Sequence, residues 1–149
     1  MLLVLMGPSS SGKSSLASEL GKRLEAEVYT GKDYLRLAKG SNTAWNRFKE
    51  ELILASASDS SNIIYVATEA ADVAKLQDIS GAKFVKLTAD LEILKKRFAS
   101  RMGGNVPPPV AAMLERQLKT WENIEADLCI DTSASEELEV YVAEVLKLS

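Results

Sequence analysis

Apolar residues recur along the chain at two spacings, which predict strands alternating with helices. Five short segments have the pattern of strands, and the clearest is the uninterrupted apolar run Leu2–Met6. The predicted strands are 2–6, 27–30, 62–67, 83–87 and 127–131. Apolar side chains three or four residues apart predict helices with one buried face. These helical stripes cover 16–24, 45–55, 73–79, 91–98, 114–121 and 138–145.

This order of elements predicts the fold class. Strands that are separated by helices need crossover connections, so the sheet should be mainly parallel, with helices on both faces. We therefore expect one α/β domain of about five strands over residues 1–149. Asp90 and Ser135 are the predicted N-caps of the helices that follow them.

Net charge and composition argue against some classes of binding partner. The net charge of -3 argues against general attraction to nucleic acid. No apolar stretch is long enough for a membrane helix, and the apolar start runs into a glycine-rich loop without the features of a signal peptide. The single cysteine, Cys129, cannot form an internal disulfide, and we assign it no function. We expect a soluble cytoplasmic protein with no membrane or nucleic-acid partner.

A glycine-rich loop follows the first strand, and we call residues 7–14 the P-loop. It matches the Walker A pattern at every fixed position: Gly7-Pro8-Ser9-Ser10-Ser11-Gly12-Lys13-Ser14. Small residues let successive backbone N–H groups converge on phosphate oxygens, and the positive end of the following helix points at the same place. Lys13 would contact the outer phosphates, and the Ser14 hydroxyl would bind Mg²⁺. The alternative is a serine-rich turn that caps an ordinary helix.

Two arginines are candidates for stabilising a transferred phosphoryl group. Arg97 and Arg101 lie four residues apart and so share one helix face, next to a break at two glycines. The alternative is a solvated basic face, because Lys95 and Lys96 are adjacent. The break itself, over residues 102–109, contains two glycines and three prolines, which indicates either an exposed connector or a mobile lid.

A carboxylate should lie near the acceptor of the phosphoryl group, as a base or as a metal ligand. Asp33 follows the second predicted strand, whose carboxyl end should face the same crevice as the P-loop. Glu69 and Asp72 follow the third strand and are the other candidates. Alternatively, Asp33 only caps the helix after it.

Together these motifs resemble the gluconate kinase and shikimate kinase group of small P-loop kinases, with gluconate kinase the closer match. The resemblance is carried by residues 7–16, 63–67 and 84–87, and by the run Leu94-Lys95-Lys96-Arg97-Phe98-Ala99-Ser100-Arg101. After that run, Val106-Pro107-Pro108 with Leu114, Gln117, Leu118 and Glu122 is similar to the segment that follows the lid in gluconate kinases.

The resemblance implies a nucleoside-monophosphate-kinase-like fold with sheet order 2-3-1-4-5. It also implies ATP and Mg²⁺ as cofactors, a small-molecule hydroxyl acceptor, an acceptor-binding helical region at about 31–58 and a lid at about 102–109. The implied phosphate-binding residues are Gly7, Ser9, Ser10, Ser11, Gly12, Lys13, Ser14 and Ser15. The loop Asp131-Thr132-Ser133 is similar to the one that contacts adenine, with Arg97 beside the nucleotide.

The implied catalytic residues are Lys13, Asp33, Arg97 and Arg101, and the implied metal ligands are Ser14 and Asp33. Arg36 and Arg47 would lie beside Asp33 in the acceptor region and bind an anionic group such as a carboxylate. The protein would be a monomer or a homodimer.

The acceptor half departs from gluconate kinases. Those enzymes have two acidic residues and a histidine after the second strand, whereas this chain has Thr30-Gly31-Lys32-Asp33-Tyr34-Leu35 and no histidine. After the third strand they have a serine-alanine-leucine-lysine run, whereas this chain has Thr68-Glu69-Ala70-Ala71. Two alternatives therefore stay open: a nucleoside or nucleotide kinase, and a nucleotide-binding module without catalysis.

Overall fold

The computed structural model describes residues 1–134 and 136–148. Its five strands are β1 (Leu2–Met6), β2 (Glu27–Thr30), β3 (Ile63–Val66), β4 (Lys83–Thr88) and β5 (Leu128–Asp131). Its six α-helices are α1 (Lys13–Leu24), α2 (Ser41–Ser56), α3 (Ala70–Ala74), α4 (Leu91–Arg101), α5 (Pro108–Glu122) and α6 (Leu138–Leu146). A 3-10 helix covers Asp33–Leu37. Among these residues, no helix has the length and apolar character needed to cross a membrane.

The strands form one parallel sheet in the order β2-β3-β1-β4-β5, which confirms both the α/β class and the expected strand order. β1 lies at the centre, where Val4 pairs with Tyr65 of β3 and Phe84 of β4. All five β1 side chains are buried, as a strand covered on both faces requires. The P-loop therefore leaves the most buried strand of the sheet.

Alternate residues of β1 enter two different cores. Leu2, Val4 and Met6 face α2, α3 and the Trp121 side chain of α5. Leu3 and Leu5 face α1 and α6. A smaller third cluster joins α4 to α5. The helices thus cover both sheet faces, and α4 and α5 form a packed pair beyond β4.

The helix predicted over 73–79 is wrong in its position and length. The chain forms the five-residue helix α3 and then a series of turns. Backbone bonds join Leu76 N to Val73 O at 2.9 Å and Ile79 N to Leu76 O at 3.1 Å. Val73, Leu76 and Ile79 are all buried. Turns of this kind bury every third residue, so the apolar spacing was real but came from tighter turns than those of an α-helix.

The two predicted helix caps have different outcomes. Asp90 occupies the N-cap position of α4, although its side chain makes no capping hydrogen bond. Ser135 lies outside the described residues, and α6 begins at Leu138.

Candidate functional site

The P-loop has a backbone that only glycine can adopt at its first position. Gly7 has φ of +142°, and a Cβ placed on it would lie 2.1 Å from the carbonyl oxygen of Leu87 and 3.2 Å from Ser11 Oγ. Ser11 is fully buried, and its hydroxyl is the buried side-chain polar group for which the described residues offer no hydrogen-bond partner. The loop is therefore packed directly against β4, with no room for a side chain at residue 7.

The end of the P-loop leaves the first turn of α1 open to an anion. Gly12 is the N-cap residue, with φ of +103°, and no side chain among the described residues caps this turn. The free N–H groups and the helix dipole at such a terminus attract negative charge. Ser10 adopts a left-handed φ of +67°, unusual for a residue with a side chain. Backbone strain of this kind is common where a loop must aim its amides at a ligand.

Lys13 is folded back onto its own loop. Its ammonium donates to the carbonyl oxygen of Gly7 at 2.5 Å and to that of Pro8 at 2.9 Å. Burial and, to a smaller extent, the nearby charge of Arg101 together lower the pKa of Lys13 to about 8. A bound phosphate would offer this ammonium a stronger, charged acceptor than two carbonyl groups.

The structure brings both predicted arginines to the P-loop. Arg97 donates to Ser10 O at 3.3 Å, and also to Thr132 Oγ1 at 2.9 Å and Thr132 O at 2.6 Å. Arg101 donates to Ser10 Oγ at 2.6 Å. The basic face of α4 is therefore divided: these two cations face the loop, whereas Lys95 pairs with Glu92 at the surface. Their role in phosphoryl transfer stays a prediction.

In the loop predicted to contact adenine, residues 131–133, one side chain contacts the P-loop and the other two do not. Thr132 is buried, and its hydroxyl lies 3.0 Å from Ser11 O and 3.1 Å from Thr88 O, which ties β5 to the P-loop. Asp131 instead accepts a hydrogen bond from Ser133 N at 2.8 Å, and its bonds to Ser133 lower the pKa of the Asp131 carboxyl. The Ser133 hydroxyl accepts from Asp90 N. Asp131 and Ser133 thus shape the turn, while Thr132 contacts the loop.

A cavity of about 700 Å³ opens beside these residues. One side is formed by the P-loop with Ser15, and another by Arg97, Ser100 and Arg101 of α4. Sequence reasoning missed other lining residues, which lie at or just after the carboxyl ends of strands, in α6 or just before it: Thr30, Val66, Thr68, Leu87, Glu136, Leu138 and Tyr141. The rule that ligands bind beyond the carboxyl ends of parallel strands could have indicated Thr30 and Thr68.

The acceptor candidates are not gathered in this cavity. The Asp33 carboxylate accepts a hydrogen bond from Thr30 N at 2.9 Å, so it closes the turn after β2. The alternative that Asp33 caps the helix after it is wrong, because the N-cap residue of the 3-10 helix is Lys32 and the cap has no side-chain hydrogen bond. Glu69 is exposed at the N-cap of α3. Asp72 is buried, with Lys75 Nζ 3.6 Å from its carboxylate. None of the three acidic side chains lines the cavity.

The two arginines expected in the acceptor region also point elsewhere. The Arg36 guanidinium lies 4.6 Å from the centre of the Tyr29 ring and 3.4 Å from Glu27 Oε1, along the edge strand β2. Arg47 is exposed on α2, one residue before the buried Phe48. A basic residue on the outer face of a helix stays solvated, and one over the face of an aromatic ring is attracted to that ring. The expectation that these two bind an acceptor carboxylate stays a prediction without a contact to support it.

The predicted lid is the connector between α4 and α5, over residues 102–107, because α5 already begins at Pro108. Gly103 and Gly104 have φ of +88° and +103°, and a Cβ on either would meet no atom within 4 Å. Gly104 N donates to Ala99 O at 2.7 Å, which ends α4 in the usual way for a glycine after a helix. The segment is exposed, and its movement as a lid stays a prediction.

Comparison with solved structures identifies the fold. A gluconokinase from Sinorhizobium meliloti 1021 is 20% identical, with a TM-score of 0.65, covering 98% of this chain and 89% of that chain. A shikimate kinase from Acinetobacter baumannii in complex with shikimate is 15% identical, with a TM-score of 0.63, covering 99% and 91%. The YorR protein of Bacillus subtilis in complex with phosphorylated GDP is 21% identical, with a TM-score of 0.65, covering 99% and 95%.

The chain has the fold of the P-loop kinases. No protein-family profile and no curated protein sequence matches it significantly. The P-loop kinase fold was expected from the motif after β1 and the run around Arg97, and residues of both segments line one cavity.

Proposed function

We propose that this P-loop kinase fold carries out ATP-dependent transfer of a phosphoryl group to a hydroxyl of a small metabolite. The observation that supports this most is the convergence of Lys13, Arg97 and Arg101 on the P-loop, beside a cavity large enough for a nucleotide. Three cations beside unpaired helix amides are the donor set that a triphosphate requires.

The residues present fit a nucleotide with Mg²⁺. The amides of the P-loop and the first turn of α1 would hold the phosphates, and Ser14, which lines the cavity, would supply a hydroxyl to the metal. No group of three or more His, Cys, Asp or Glu side chains suited to a metal occurs in residues 1–134 and 136–148. Mg²⁺ is commonly bound through one or two carboxylates together with phosphate oxygens and water. The Ser14 hydroxyl would supply one ligand, whereas Asp33, the other expected ligand, does not line the cavity. The metal would neutralise charge on the outer phosphates.

The acceptor would enter from the side of Thr30 and Thr68, opposite the wall that α6 contributes at Leu138 and Tyr141. The Asp33 carboxylate is bonded to Thr30 N, so its side chain would have to break this bond and rotate before it could contact an acceptor hydroxyl. The structures similar to this chain include a gluconokinase and a shikimate kinase, which suggests a polyhydroxylated acceptor about the size of gluconate or shikimate. We further propose a cytoplasmic location and a monomer or homodimer.

The test is a screen of hydroxylated metabolites and nucleoside monophosphates, with ADP release as the readout. For an acceptor found in this way, Arg97→Ala should lower kcat by about 100-fold, the usual effect of removing one donor to a developing charge. The matched control is Lys96→Ala, an exposed neighbour on the same helix, which should retain activity. Wild-type kcat in Arg97→Ala would remove this arginine from the mechanism.

A second candidate is a nucleotide-binding module without catalysis. The observation that favours it is that Asp33, Arg36 and Arg47 do not line the cavity. Magnesium-dependent nucleotide binding with no transfer to any acceptor in the screen would support this candidate. Transfer restricted to the monophosphates would instead support a nucleotide kinase.

A further inference from the structure

A side chain of helix α5 contacts the P-loop. Gln117 Oε1 accepts a hydrogen bond from Ser9 N at 2.9 Å, across 108 positions of sequence. Gln117 is half-buried, and its Nε2 group has no hydrogen-bond partner among residues 1–134 and 136–148. One atom of this amide is therefore committed to the loop, while its donor is available.

The Ser9 N–H that Gln117 binds belongs to the P-loop, where the proposed nucleotide phosphates would lie. Ser9 lines the cavity, and its N–H is one of the loop amides available to a phosphate oxygen. A phosphate oxygen arriving at Ser9 N would meet the carbonyl oxygen of Gln117 at the same donor. Two acceptors of negative partial charge repel each other there, whereas a side-chain N–H and a phosphate oxygen attract.

We propose that Gln117 is a phosphate-responsive binding residue, whose amide inverts when a nucleotide enters. Oε1 occupies Ser9 N–H while the loop is empty, and Nε2 donates to an outer phosphate oxygen when it is filled. This inference rests on the nucleotide binding proposed above. No covalent step is involved, since only hydrogen bonds are exchanged.

The inversion would connect the predicted lid to the state of the P-loop. α4 and α5 pack together through Leu94 and Leu114 and are joined by residues 102–107. α4 holds Ser10 through Arg101, and α5 holds the adjacent Ser9. The helix pair therefore contacts two consecutive loop residues, and both contacts would have to rearrange around a phosphate.

Two nearly isosteric substitutions separate this proposal from a purely structural tie. Gln117→Glu keeps an acceptor for Ser9 N–H but has no donor and adds a negative charge. Gln117→Met keeps the volume and removes both polar groups. If Gln117 only anchors Ser9 in the empty loop, the Met variant should bind nucleotide as tightly as wild type or more tightly, because it no longer competes for Ser9 N–H. The proposal requires weaker binding by the Met variant, because a donor to phosphate is lost, and still weaker binding by the Glu variant, in which charge repulsion is added.

The experiment is titration calorimetry with Mg²⁺-ATP on wild type and both variants, each checked for folding by thermal unfolding. We expect the Met variant to bind about tenfold more weakly than wild type, and the Glu variant about tenfold more weakly again. Lys119→Gln makes the same change of -1 in net charge at an exposed position of α5, and it should bind like wild type.

Equal affinity of the Glu and Met variants, or tighter binding by the Glu variant, would overturn the proposal. So would an unchanged affinity in the Met variant. Absence of Mg²⁺-ATP binding by the wild-type protein is a different result, because it would reject the proposed function itself.

Discussion

Nucleotide affinity should fall as pH rises through the range in which Lys13 loses its proton. In the ligand-free protein, burial and then the charge of Arg101 lower the pKa of Lys13 to about 8. A phosphate beside the ammonium favours the charged form, so the pKa of Lys13 should rise when a nucleotide binds. The free energy of binding is then linked to protonation, and only the charged form binds tightly.

The size of the effect follows from that pKa. With a value of about 8, about nine-tenths of the Lys13 side chains are charged at pH 7 and about one-tenth at pH 9. The apparent affinity should therefore fall about tenfold between these two pH values, as long as the pKa in the complex stays well above 9. At pH 8, each binding event should take up about half a proton from the buffer.

Calorimetry at pH 7, 8 and 9, in two buffers of different ionisation enthalpy, measures both the affinity and the proton uptake. Lys13→Arg is the matched control, because the guanidinium stays charged across this range and its profile should be flat. An affinity of the wild-type protein that does not change between pH 7 and 9 would refute the reasoning. Release of protons on binding would refute it as well.

Two further predictions concern backbone geometry and buried polar groups. Gly7→Ala should destabilise the protein by at least about 3 kcal/mol in urea unfolding, because its Cβ would lie 2.1 Å from Leu87 O. Gly104→Ala, with no atom within 4 Å, should lose only about 1–2 kcal/mol, and equal losses would contradict the close-packing argument. Tyr65→Phe removes the 2.9 Å bond to Gly31 O and should lose about 1–2 kcal/mol, whereas an unchanged midpoint would show that this carbonyl needs no partner.

The sequence predicted the features that depend on local pattern. Strand β1 and helix α1 are specified by uninterrupted and periodic apolar residues, and the P-loop by glycines at fixed spacing. The position of Arg97 could also be inferred, because its helix must pack beside the strand that precedes it. The side-chain partners of Arg36 and Asp33 could not, since they depend on which group of the folded chain lies nearest. Gln117 was missed as a loop contact for the same reason.

The phosphate side of the candidate site could be predicted from the sequence, whereas the contacts on the acceptor side could not. This difference has a physical basis. The proposed phosphate binding would be a property of the backbone, whose shape is set by Gly7 against β4 and by Gly12 at the start of α1. The proposed acceptor binding would depend on side chains at the ends of β2 and β3. The backbone there is also held in place, because Gly31 N donates to Val66 O and Gly31 O accepts from Tyr65 Oη. Freeing the Asp33 carboxylate breaks one hydrogen bond, about 1 kcal/mol, and moves no strand. The bond to Thr30 N is therefore compatible with a catalytic role for Asp33, because its rotation is a small step beside the energy of binding a substrate.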